Sequence, residues 1–130
     1  MSFCENPKAT KPNFSVGSLN IGGLKSRSAK VSKIFEVLKT LSILVIQETH
    51  FFNENDTLYF RQVFEPNFKI FHSFAKQRSA GISFLINRNL VFRKVEQIFE
   101  IEGRCMEFNL KLNLESILFV GLYAPAKANL

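Results

Sequence analysis

The sequence holds no tryptophan, two cysteines, two histidines, and no aspartate after Asp56. Each scarcity removes a class of explanation. Cys4 and Cys105 form no C-x-x-C pair, and with His50 and His72 as the only imidazoles a structural zinc site has no ligand set. No apolar run approaches the ~18 residues of a membrane-spanning helix, and the first twenty residues contain no apolar core of signal-peptide length. These absences lead us to expect an intracellular protein, nuclear or cytoplasmic, with reduced cysteines and no membrane partner.

What is present is apolar bulk and a mild positive charge. A chain of 130 residues with 46% hydrophobic content has room for one domain and the material for a core. Phenylalanine supplies 15 of its aromatic residues, which favours packing bulk. The formal net charge is +6, with eight basic and six acidic residues through Glu65 and nine and five after it. No basic tail stands apart. Such a surface permits a polyanionic partner through counterion release without identifying one.

The chain is organised around Ser42-Ile43-Leu44-Val45-Ile46-Gln47-Glu48-Thr49-His50. Four apolar residues, three of them β-branched, are too few for a buried helix and read as a strand covered on both faces. At its C-terminal end the side chains change to amide, carboxylate, hydroxyl and imidazole. Ligands of open α/β sheets bind outside the carboxyl ends of strands, so Glu48 stands where a metal-binding or catalytic carboxylate belongs. The same four residues would equally make an ordinary polar loop.

Before this strand, residues 1–12 read as a disordered arm. Residues 13–21 read as a strand ending in Asn20-Ile21-Gly22-Gly23-Leu24, whose paired glycines allow a tight turn. Ser26 or Ser28 can cap a helix, in which Val31, Ile34, Phe35, Leu38 and Leu41 recur at helical spacing. Strand, helix and strand form a right-handed crossover with parallel strands. That topology delivers Asn20 and Glu48 to one edge of the sheet.

After a polar loop at 53–56 comes a short helix over 57–64, stopped by Pro66. Strands are expected over 68–74, with His72 at the surface, and over 82–86, 90–98, 105–112 and 117–123, the last two as a hairpin. The coarse class is mixed α and β with an antiparallel meander.

In order, Asn20-x-Gly22-Gly23-Leu24, Gln47-Glu48-Thr49-His50, Ser79-Ala80-Gly81-Ile82, Gly103-Arg104 and Tyr123-Ala124-Pro125 form a pattern. It resembles the N-terminal half of the endonuclease/exonuclease/phosphatase superfamily, and within it the apurinic-endonuclease-like domain of LINE-type (non-LTR) retrotransposons. The resemblance spans about Phe14 to Pro125. It implies half of a four-layer α/β/β/α sandwich and a Mg²⁺-dependent endonuclease that nicks DNA. It also implies that Glu48 binds the metal, that Asn20 and Tyr123 serve the scissile phosphate, and that Arg104 and His50 meet nucleic acid. Leu19 and Ala80 depart from residues frequent in the family. The family's downstream G-D-x-N and S-D-H motifs do not occur here. The resemblance therefore leads us to expect a catalytically incomplete first half, or a non-catalytic remnant or interaction module. Action on RNA or a phospholipid is the remaining reading. A half-sandwich should also leave Phe84, Ile86, Phe108, Leu110 and Phe119 without a facing sheet. That face would invite either the missing C-terminal half or self-association.

Overall fold

In a computed structural model, the structure describes residues 15–24, 27–76, 80–90, 93–111 and 114–124. The expected arm at 1–12, Phe14, Ser26, Ser79 and Pro125 lie outside these residues, as do the side chains of Arg27 and Ser28. Among the described residues, seven strands and two helices follow in order. They are β1 (Val16–Asn20), α1 (Arg27–Leu38), β2 (Ile43–Gln47), α2 (Leu58–Phe64), β3 (Phe68–Ser73), β4 (Ile82–Asn87), β5 (Lys94–Ile101), β6 (Cys105–Lys111) and β7 (Ser116–Leu122). A 3₁₀ turn, Glu54–Thr57, leads into α2, with the Asn53 side chain accepting from the Asp56 amide. None of the described helices is long and apolar enough to cross a membrane.

The strands form two sheets, β1-β2-β4-β3 and β5-β6-β7. The β1 and β2 strands are parallel, with Asn20 opposite Gln47, while every other pair is antiparallel. The expected strand-helix-strand unit is therefore present, and β4 is inserted between β2 and β3. The uninterrupted Ile43-Leu44-Val45-Ile46 run is explained by its central position. Leu44 and Ile46 pack beneath Val31, Ile34 and Leu38 of α1 and Phe60 and Phe64 of α2. Ile43 and Val45 face the second sheet.

Contrary to the expectation of an uncovered face, Phe84, Ile86, Phe108 and Leu110 are buried between the two sheets. The Phe108 ring lies 4.6 Å from both Phe84 and Phe71, centroid to centroid. At Gly121 on β7 a Cβ would meet Phe84 Cε1 at 2.5 Å and Val45 Cγ1 at 3.0 Å, so only glycine lets the sheets approach there. The facing sheet is supplied by β5, β6 and β7 of the same chain. The uncovered surface is instead the outer face of that sheet, where Phe99, Ile101, Leu118, Val120 and Leu122 are exposed. The described architecture is thus α/β/β, three layers of the four.

Two further residues depart from their expected places. Phe35 is 47% exposed, although its ring approaches Phe64 at 4.8 Å. His72 is not a surface residue. It sits under α2 with its ring against Phe51, Phe60 and Phe74, and its Nδ1 is 2.6 Å from Ser83 Oγ. Desolvation lowers its pKa from 6.5 to about 4, with the Arg61 cation adding to the effect.

Candidate active site

The carboxyl ends of β1 and β2 stop side by side, and the chain then pins itself on both flanks of the loop that follows β2. On one flank the amides of Ile21, Gly23 and Leu24 donate to the carbonyls of Gln47, Glu48 and Thr49, at 3.0, 2.7 and 3.0 Å. On the other, Thr49 N–H donates to Gly81 O and His50 N–H to Ala80 O. Gln47 to His50 is therefore a bonded continuation of the sheet rather than a free polar loop.

Within it Glu48 and His50 hold positive φ values of 58° and 61°. A side chain in this left-handed region costs about 1–2 kcal/mol, and persists where neighbouring bonds over-determine it. Between them Thr49 is fully buried, and a Cβ on Gly81 (φ +111°) would collide with its hydroxyl. The alternation aims Glu48 and His50 at the rim while Thr49 anchors the loop below.

Asn20 Nδ2 donates to Glu48 Oε2 at 2.8 Å, while Asn20 Oδ1 accepts from Gly22 N–H at 3.2 Å. The two bonds fix which end of the amide faces the carboxylate. His50 Nε2 lies 4.0 Å from the other oxygen, Oε1, beyond hydrogen-bond reach, and His50 packs on Gly23, where a Cβ would meet its Nδ1 at 2.6 Å. Asn20, Glu48 and His50 thus form one group. One carboxylate oxygen is held by an amide, and the other lies beside an imidazole.

Tyr123 and Arg104 belong to the second sheet, at the end where β6 begins and β7 stops. Tyr123 N–H donates to Arg104 O at 2.8 Å, and Tyr123 is buried as part of the inter-sheet core that also includes Ala75, Ala80 and Ile82. Because Ala80 also accepts from His50, this core reaches the loop that carries Glu48. The structure thus brings Asn20, Glu48 and His50 together and sets Tyr123 and Arg104 on the second sheet at the same end of the sandwich.

Sequence reasoning missed Lys30. From α1 its ammonium donates to the carbonyls of Gly22 and Gly23 at 2.9 and 2.7 Å. Its apolar neighbours at helical spacing gave no sign of this, since the lysine shows only as a polar position off the buried stripe.

Among the described residues, no three His, Cys, Asp or Glu side chains converge as a ready-made metal cluster. The site offers one carboxylate, one carboxamide and backbone carbonyls. Such an oxygen set suits a hard cation such as Mg²⁺, which takes one or two carboxylates and completes its shell with water and phosphate.

No protein-family model matches the sequence, and no curated protein matches it. Solved structures do. AP endonuclease LMAP from Leishmania major aligns over 82% of this chain with a TM-score of 0.61 at 15% identity. Truncated TDP2 from Caenorhabditis elegans aligns over 88% with a TM-score of 0.59 at 19% identity. This chain covers 38% and 47% of those two proteins, less than half the length of either. At such identities the likeness is one of fold. The chain carries the mixed-sheet and antiparallel-sheet core of the endonuclease/exonuclease/phosphatase-type fold.

Proposed function

We propose that this chain is the N-terminal part of a Mg²⁺-dependent DNA endonuclease domain of the LINE-type retrotransposon branch. The observation that supports it most is the 2.8 Å bond between Asn20 and Glu48, made by a glutamate whose backbone is held left-handed at the end of a buried strand. One of the solved neighbours is an AP endonuclease by name, which favours DNA as the partner.

In this reading Glu48 holds Mg²⁺ through its carboxylate, and the Asn20 amide keeps that carboxylate turned to the rim. Bound there, Mg²⁺ would supply a positive charge to the phosphodiester oxygens as negative charge develops on them. Tyr123 donates its phenol hydrogen to the phosphate, and His50 and Arg104 meet the nucleic acid. A neutral amide and phenol can do this without competing for the cation.

The site as described has one carboxylate and no aspartate-histidine pair, so the chain by itself binds without turning over. The rest of the domain would bring the acid-base groups and cover the outer face of the β5-β6-β7 sheet. The single carboxylate equally favours a second reading, a non-catalytic remnant or interaction module.

Fluorescence anisotropy with a labelled duplex oligonucleotide tests the first reading. Mg²⁺ should tighten binding to the wild-type chain, and Glu48→Gln should abolish that gain while leaving Mg²⁺-free binding intact. Binding indifferent to both Mg²⁺ and Glu48 would refute it. Supercoiled plasmid should remain unnicked by this chain with Mg²⁺.

A further inference from the structure

We infer that Lys30 is a positioning residue for the Asn20–Glu48 pair, acting through the glycine turn rather than as a surface cation. The inference rests on the proposed site and adds to it the group that sets the site's geometry.

Lys30 lies in the first turn of α1, where the helix dipole disfavours a cation and where α1 carries no acidic residue. The lysines that follow behave as surface residues: Lys33 on α1 is exposed, and Lys39, just past the helix end, pairs with Glu36 across an exposed 2.8 Å contact. Lys30 is half-buried instead, and it turns back across the helix start to bond two consecutive carbonyls, Gly22 O and Gly23 O. Both glycines have positive φ, 63° and 96°. In that conformation successive carbonyls can converge on one donor, and a charged donor makes the stronger bond.

Each of the bonded residues also touches the site through its own amide. Gly22 N–H donates to Asn20 Oδ1, and Gly23 N–H donates to Glu48 O. The Lys30 ammonium therefore holds the Gly22–Gly23 and Gly23–Leu24 peptides, whose own hydrogens bond Glu48 O and Thr49 O, and through Gly22 it steadies the preceding peptide, whose hydrogen bonds Asn20 Oδ1. With Oδ1 accepting from Gly22, Nδ2 is turned to donate one hydrogen to Glu48 Oε2. Releasing the turn frees the amide to rotate, and the carboxylate loses its held orientation.

The test is NMR on the ¹⁵N-labelled chain, comparing wild type with Lys30→Met, which keeps the aliphatic stem, and Lys30→Arg, which keeps charge and donors. In Lys30→Met the Asn20 side-chain amide resonances should shift toward free-asparagine positions. Gly23 and Leu24 amides should exchange at least tenfold faster, while β4 and β6 amides stay unchanged. Lys30→Arg should restore most of the wild-type pattern. Unchanged Asn20 resonances in Lys30→Met would overturn the inference, as would equal loss of protection throughout the sheets. Neither readout involves Mg²⁺ or DNA, so failure of the nuclease reading would show separately, in the anisotropy experiment.

Discussion

Acidification should destabilise this protein through His72. Its imidazole is enclosed by Phe51, Phe60 and Phe74, and its pKa falls from 6.5 to about 4, chiefly by desolvation and then by Arg61. The unfolded chain takes up this proton near pH 6.5 and the folded one only near pH 4. Between those values the unfolded state binds more protons, so stability is full above pH 6.5 and declines as pH falls to 4. At ~1.36 kcal/mol per pH unit, the fall from pH 7 to 5 removes about 2 kcal/mol, and the whole window about 3 kcal/mol. That is a large share of an ordinary domain's stability of ~5–15 kcal/mol. Urea denaturation followed by far-ultraviolet circular dichroism at half-unit pH steps measures it. Replacing His72 alone would orphan the buried Ser83 hydroxyl, so the control is His72→Leu with Ser83→Ala. This double variant should flatten the slope between pH 6.5 and 5. A slope equal to wild type in the double variant, or an imidazole titrating near 6.5 in the folded protein, would refute the reasoning.

Two other outcomes follow from the packing. Gly81→Ala should destabilise the fold by about 2–4 kcal/mol, since it imposes both an unfavourable φ of +111° and a clash with Thr49; a Tm within a degree or two of wild type would contradict this. β7 carries no charge or proline, unlike β5 with Lys94, Glu96, Glu100 and an irregularity at Gln97/Phe99. Unguarded apolar strands associate, so Leu118→Lys with Val120→Lys should turn a self-associating chain into a monomer by sedimentation velocity, with its circular dichroism unchanged.

The most legible parts of this protein were those written by local rules. The β-branched run at Ile43–Ile46 announced a strand buried on both faces, and the spacing of Val31, Ile34 and Leu38 announced its covering helix. The strand-helix-strand crossover then brought Asn20 to Glu48, twenty-eight positions away in sequence. Periodicity assigns residues to faces, however, and not strands to sheets. That is why Phe84 and Phe108, correctly expected to be apolar strand residues, were expected to lack a partner they in fact find in each other. His72 shares its alternating row with Ile70 and Phe74; imidazole polarity suggested solvent, but α2 closes over that row. The left-handed turns at Glu48 and His50 carry no glycine signature, and they arise from hydrogen bonds to two distant segments.

The insertion of β4 between β2 and β3 bears on the order in which the molecule can assemble. β2 can pair with β1 soon after α1 has formed, but its opposite edge waits for Ile82–Asn87, some forty residues later in synthesis. Until then the Ile-Leu-Val-Ile segment has one vacant side, a period in which a growing chain is open to chaperone capture. The Asn20 half of the rim is thereby set early, and Thr49 and His50 are locked only when Ala80 and Gly81 arrive. Closure of the long loop from β2 to β4 is thus the event that makes the acidic residue's environment permanent.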